Sequence, residues 1–201
     1  MIESVSKYGG FYIGRYELSD AGVQKAKQPL TKTNWYNLYK KCTELQASDK
    51  VKTQMIWGCQ WDVTMNWLIS SGAKTSNEVN TDSSSWKNYK GTSVKADDGK
   101  TEIKANGTPA KLNTGTTTFT MANNIYDLAG NCFEWTQEAC NTYGRAGRGG
   151  YYRLQWLLLS SFWPRYRGSS GSDLRRFSSH FNNKVILDTR AWAPVWRKIV
   201  K

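Results

Sequence analysis

Between Met121 and Trp135 the chain sets a carboxylate, two amides and a glycine on one short turn and adds a second carboxylate just after it. The order is Asn124-Ile125-Tyr126-Asp127-Leu128-Ala129-Gly130-Asn131, then Cys132 and the aromatic run Phe133-Glu134-Trp135. Arg148-Gly149-Gly150-Tyr151 follows a short loop later. Gly130 is free to take φ > 0, and Asp and Asn side chains cap such turns by accepting from nearby backbone N–H groups. A carboxylate and several inward-turned carbonyls on one turn could also wrap a hard cation such as calcium. Glu134 beside Trp135 invites acid–base chemistry, because a carboxyl buried against an aromatic titrates high. The reading preferred is structural: Glu134 and Trp135 belong to the core, and Arg148 makes an ion pair or bonds carbonyls rather than clamping a substrate.

Nucleophiles and soft metal ligands are few. Cys42, Cys59, Cys132 and Cys140 show neither C-x-x-C nor a zinc spacing, and His180 is the one histidine, which excludes a site built on several imidazoles. The cysteines read as small buried residues with free thiols, in preference to a Cys132–Cys140 disulfide.

These groups need elements to hold them. Tyr8–Glu17 alternates aromatic and polar residues as a half-buried strand does. Pro29–Lys32 is a loop and Thr33 an N-cap for a helix in which Trp35, Leu38, Tyr39, Cys42 and Leu45 recur at helical spacing. A second helix is expected from about Gln60 to Ser70, with Trp61, Met65 and Leu68 on one face and Gly72 as its stop. From Ser70 to Thr118 the sequence is polar and rich in Gly, Ser, Thr, Asn and Lys, interrupted by Trp86, Tyr89 and an Ala96-Asp97-Asp98-Gly99 turn. It reads as long loops and short hairpins, either functional or a solvated insertion. Thr116–Met121 is expected to be a short β run leading into the central turn.

A chain of 201 residues with 39% hydrophobic content is long enough for one domain with its own core. No apolar run approaches a membrane span, and Met1-Ile2-Glu3-Ser4 lacks a basic-then-apolar signal segment. The net charge of +12 would suggest a polyanion partner. However, residues 1–150 hold 18 Lys+Arg against 14 Asp+Glu, whereas residues 151–201 hold 10 Lys+Arg against Asp173 and Asp188 only. The basicity therefore belongs to the tail, and nucleic acid is not the expected partner.

Gly130-Asn131-Cys132-Phe133-Glu134-Trp135 followed by Arg148-Gly149-Gly150-Tyr151-Tyr152 resembles the G-N-V-W-E-W … R-G-G-S signature of the formylglycine-generating-enzyme (sulfatase-modifying factor) family. The opening Gly9-Gly10-Phe11-Tyr12-Ile13-Gly14-Arg15-Tyr16-Glu17 resembles that family's first strand, and Met55-Ile56-Trp57-Gly58-Cys59-Gln60-Trp61-Asp62 its RLPTEAEWE segment. The resemblance spans Tyr8 to about Tyr152. It implies an α+β architecture of the C-type lectin-like kind, with two helices flanking small irregular antiparallel sheets and many long loops. It also implies a structural role for Asn131, Glu134, Trp135, Arg148, Gly149 and Gly150, with the Glu134 acid bonding backbone N–H groups, and a calcium-holding turn at Asp127, Leu128, Gly130 and Cys132 that binds mostly through backbone oxygens.

The family's oxidases use a late pair of cysteines and its iron-dependent sulfoxide synthases a set of histidines; this chain has no cysteine after Cys140 and only His180. The resemblance is closest to the variable proteins of diversity-generating retroelements, which bind ligands at phage tail tips and on bacterial surfaces. The expected function is accordingly a non-enzymatic ligand-binding domain, with Tyr151, Tyr152, Trp156, Trp163 and Tyr166 on the binding face. The expected ligand is a protein or glycan on a host or neighbouring cell surface. No cofactor is required, calcium is an option, and a virion tail or bacterial surface is a more natural setting than the cytoplasm. Two alternatives stay open: an oxygen-dependent modifying enzyme using Cys132 or Cys140, and a polyanion binder acting through the basic tail.

Residues 1–152 form the body of the expected domain and 153–201 its C-terminal variable segment, which departs from the family pattern. Arg153-Leu154-Gln155-Trp156-Leu157-Leu158-Leu159-Ser160-Ser161 can be encoded by CGACTACAATGGCTCCTACTATCCTCC, which one nucleotide later reads Asp-Tyr-Asn-Gly-Ser-Tyr-Tyr-Pro, the kind of ending the family has. A frame slip after Tyr152 is the resulting hypothesis, with the closing strand missing or replaced; the alternative is a buried strand at Trp156–Leu159.

Overall fold

Two helices grow from the apolar stripes seen in the sequence. In the computed structural model, which describes residues 9–45, 52–140, 144–153, 181–182, 184–187 and 196–200, α1 spans Trp35–Glu44 and buries Leu38 and Cys42. Its N-cap is Asn34 rather than Thr33: the Asn34 side chain accepts from the Asn37 N–H at 2.8 Å, satisfying a donor that the first turn would otherwise leave open. α2 spans Gly58–Ser70 and turns Trp61, Met65 and Leu68 inward. It starts two residues earlier than expected, because the Gln60 side chain reaches back to accept from the Trp57 N–H. A third helix, α3 at Ser76–Asn80, lies in the stretch expected to be loop.

The strands are short. Those of the chain's first half are β1 (Gly10–Gly14), β2 (Leu18–Ser19), β3 (Gly22–Val23), β4 (Thr53–Met55), β5 (Val94–Lys95) and β6 (Glu102–Lys104). β7 (Met121–Ala122), β8 (Ile125–Tyr126), β9 (Phe133–Ala139), β10 (Arg145–Arg148), β11 (Phe181–Asn182), β12 (Val185–Leu187) and β13 (Trp196–Val200) follow. Four of them make an antiparallel sheet in the order β13-β1-β12-β4, so the two ends of the chain meet in one layer. A second sheet runs β10-β9-β11, and here β11 lies parallel to β9, against the expectation of antiparallel pairing throughout. Three two-stranded ribbons complete the set.

The architecture is thus α+β, with three helices among the described residues and small, mostly antiparallel sheets. The opening strand is shorter than Tyr8–Glu17: it ends at Gly14, and Arg15 turns its carbonyl to the Tyr126 N–H instead. Thr116–Met121 is not a β run, since a 3₁₀ turn at Thr118–Thr120, capped by the Thr117 hydroxyl, precedes β7. A closing strand is present, β13, paired with β1 along its length.

Two apolar clusters form the core. One joins Phe11 and Ile13 of β1 to Trp61, Met65 and Leu68 of α2, and takes in Trp86, Ile125 and Leu128. The other gathers Leu18, Val23, Leu38, Met55, Tyr126 and Trp135. Burying a side chain of this size stabilises by about 2 kcal/mol, so each cluster is worth more than any single polar contact. The central turn crosses from one cluster to the other, with Leu128 in the first and Tyr126 in the second.

Candidate functional site

The turn is built by residues that tolerate a left-handed backbone. Asn123 and Asn124 both have positive φ (48° and 65°) and close the β7–β8 hairpin as a two-residue loop, the geometry whose twist matches its flanking strands. Asp127 (60°) and Asn131 (59°) follow in the same region. Between them Gly130, at φ 82°, is required twice over: a Cβ there would lie 2.5 Å from the Asn88 carbonyl oxygen.

Asn131 is the hub. Its amide nitrogen donates to Glu17 Oε2 (2.6 Å) and the Leu112 carbonyl (3.1 Å). Its side-chain oxygen accepts from the Leu112 N–H and from the Asn88 amide, both at 2.9 Å. Its backbone N–H meets the Asn88 carbonyl at 3.0 Å, and its own carbonyl accepts from the Tyr152 N–H at 3.1 Å. Both faces of one buried amide are therefore used, and the segment after Gly150 is tied to the turn through the same residue.

The Arg-Gly-Gly return is fixed as firmly. Gly130 N–H donates to the Gly149 carbonyl at 2.7 Å, and the buried Tyr89 hydroxyl donates to that carbonyl at 2.8 Å. A Cβ on Gly150 would run into the same Tyr89 hydroxyl. Arg148 reaches Glu138 Oε2 (2.5 Å) and Asp62 Oδ1 (3.4 Å), linking β10 to β9 and α2. Burial and Glu138 push the half-exposed Asp62 carboxyl up, and Arg148 holds it down.

Behind the turn lie three acids removed from solvent: Glu17, Asp127 and Glu134. Burial first, and Asp127 second, raise the Glu17 carboxyl to about 8; Lys184 and the Asn131 hydrogen bond pull the other way. Burial also pushes Glu134 well above the ordinary carboxylate range, against Lys184. Glu134 does not bond backbone N–H groups, contrary to the sequence expectation. Neither of its carboxylate oxygens meets a hydrogen-bond donor among the described residues, and the nearest cation is the fully buried Lys184, at 4.0 Å. Trp135 fills the second core cluster.

Calcium was the group the turn could hold, through Asp127, Leu128, Gly130 and Cys132. The turn's side-chain donors are largely engaged elsewhere. Asp127 Oδ2 is engaged by the Thr114 hydroxyl (2.8 Å) and the Gly115 N–H (3.1 Å); Glu134, whose two oxygens meet no hydrogen-bond donor among the described residues, already faces an amine, and Glu17 keeps only Oε1 unpartnered. Among the described residues no group of three or more Asp, Glu, His or Cys side chains converges as a metal set.

Outside the turn, Tyr151 packs on Phe133 with ring centroids 4.8 Å apart, and Tyr152 stands edge-on to Tyr151 at 5.9 Å. Arg153 lies over the Tyr152 ring at 5.6 Å. All three rings are half-buried. Trp156, Trp163 and Tyr166 lie outside the described residues, as do His180 and the stretch from Leu154 on which the frame hypothesis bears. All four cysteines are free thiols. Cys132 is fully buried and its thiol is raised well above normal by burial, the opposite of what a thiolate nucleophile needs; Cys42 is likewise pushed up to about 12. Cys140 is half-buried and Cys59 exposed.

Sequence reasoning missed Glu17, Asn88, Tyr89, Phe133 and Lys184. Asn88 and Tyr89 had one usable signal, Trp86 and Tyr89 standing as large aromatics in an otherwise polar stretch. Lys184 had none. Compared with protein-family models, curated proteins and solved structures, the chain matches none.

Proposed function

We propose that this chain is a non-enzymatic ligand-binding domain with a C-type lectin-like scaffold of the formylglycine-generating-enzyme type, related most nearly to retroelement-diversified variable proteins. It presents the residues after Gly150 to a protein or glycan on a host or neighbouring cell, from a virion tail or a bacterial surface. The observation that carries this reading is the half-exposed aromatic face Phe133-Tyr151-Tyr152, topped by Arg153 and anchored from below by the Tyr152 N–H on Asn131 and the Gly130 N–H on Gly149. Rigid aromatic rings lose little conformational entropy on binding and combine apolar faces with a polar edge, which suits them to recognition. No step of this function needs a metal or a cofactor.

The test is binding of the full chain to a glycan array and to intact bacterial cells, followed by the Tyr151→Ala/Tyr152→Ala double variant. A loss of at least about tenfold in affinity, with the melting temperature within about 2 °C of the parent, is the expected result. Retained affinity removes this face from the site.

A further inference from the structure

One residue from the far end of the chain sets a positive charge against the buried acids behind the central turn. Lys184 is fully buried, rare for a lysine unless its charge is paired. Its Nζ donates to the Tyr126 carbonyl at 2.5 Å and stands 4.0 Å from Glu134 Oε1. Its own carbonyl accepts from the Ile56 N–H, fixing the backbone between β11 and β12. The groups that face it come from separate elements, Tyr126 from β8, Glu134 from β9 and Glu17 from the link between β1 and β2, with Glu17 and Glu134 both within its electrostatic reach; Asp127, on the turn, acts on those two acids. Lys111, the other nearby amine, bonds the Pro29 carbonyl and the Thr31 hydroxyl instead.

A carbonyl oxygen and a carboxylate converging on one cation, inside a shell of further carboxyls, is the arrangement a hard divalent ion would call for. We infer that Lys184 is a resident cation: its amine takes the place of a metal ion at the central turn and at the same time fastens the returning C-terminal strands to it. The turn, and the aromatic face it carries, is thereby independent of calcium. Removing the lysine side chain takes the amine away from Glu134, whose two buried oxygens meet no hydrogen-bond donor among the described residues, and opens space beside the Tyr126 carbonyl; that vacated space is where calcium would become useful.

Thermal melts of the full chain in millimolar calcium and in chelator test this. The parent is expected to melt within about 1 °C in the two conditions. Lys184→Ala is expected to melt lower in chelator and to gain about 5 °C or more from calcium, the size of effect that saturating a native-state site gives a domain of this length. A parent stabilised by calcium, or an alanine variant blind to it, overturns the inference. Should Lys184→Ala fold in neither condition, the double variant Lys184→Met/Glu134→Gln decides. Recovery of a cooperative melt supports the assignment, because the lysine is then dispensable once the acid is neutral, and failure to recover overturns it.

Discussion

Glu17 shows how much a single buried group can make stability depend on pH. Unfolded, its carboxyl titrates near the ordinary 4.5; folded, it titrates at about 8, because burial penalises the charge and Asp127 adds repulsion. Across that window the native state holds a proton the unfolded chain has released, so stability falls as pH rises, by about 1.4 kcal/mol per unit, and the fall ends once pH exceeds the folded value. Glu17→Gln stays neutral throughout, and its amide oxygen can still accept from Asn131. Urea titrations of parent and variant should therefore coincide near pH 4.5 and separate progressively towards pH 9, the variant being the more stable. Parallel curves would mean that Glu17 titrates normally. Nothing local announces this in the sequence, since Glu17 looks like the polar end of an amphipathic strand. Only the packing of Asn131 and Asp127, more than a hundred residues on, takes it out of water.

Among the elements, α1 and α2 were legible because each carries a stripe at helical spacing long enough to be seen, Leu38 with Cys42 and Trp61 with Met65 and Leu68. α3 is five residues long and buries only Val79, too little for periodicity to register. Its signal was chemical. Thr75 and Glu78 form a reciprocal cap, with the Thr75 hydroxyl accepting from the Glu78 N–H (3.1 Å) and Glu78 Oε2 accepting from the Thr75 N–H (2.8 Å). That backbone hydrogen bond is the chief reason the Glu78 carboxyl is held below its usual range. Thr75→Ala should cost about 1 kcal/mol, read as a lower urea midpoint at unchanged slope, with amide exchange quickening at Val79 and Thr81 before the rest of the domain. Uniform quickening over the whole chain would show that α3 opens only with the core. The hairpin around Ala96–Gly99 was readable from its turn residues. The parallel β9–β11 pairing was not, because the sequence between its strands carries no crossover helix pattern to announce it.

At the scale of the whole molecule the chain closes on itself. β12 and β13 lie on either side of β1, and β4 lies beyond β12, so the four-stranded sheet cannot form from the first 153 residues alone. The same return delivers Lys184 to the acids behind the turn and the Asn182 amide to the Leu18 carbonyl at 2.8 Å. The resemblance seen in the sequence ends near Tyr152, which makes residues 1–152 look like a self-sufficient body. The pairing argues against that: β1 would lose its partners on both edges, β4 its only one in the sheet, and Glu134 the one cation near it among the described residues. A chain ended after Arg153 is therefore expected to lose cooperative unfolding, with a broad melt by near-ultraviolet circular dichroism and bound hydrophobic dye at temperatures where the full chain excludes it. A sharp melt close to that of the full chain would place the stability of the fold in its first three quarters, and would make the C-terminal strands an addition to a finished core. Since β1 contributes Phe11 and Ile13 to the same cluster as α2, the loss of its neighbours should be felt at Trp61. Tryptophan fluorescence of the shortened chain should shift to the red in buffer alone.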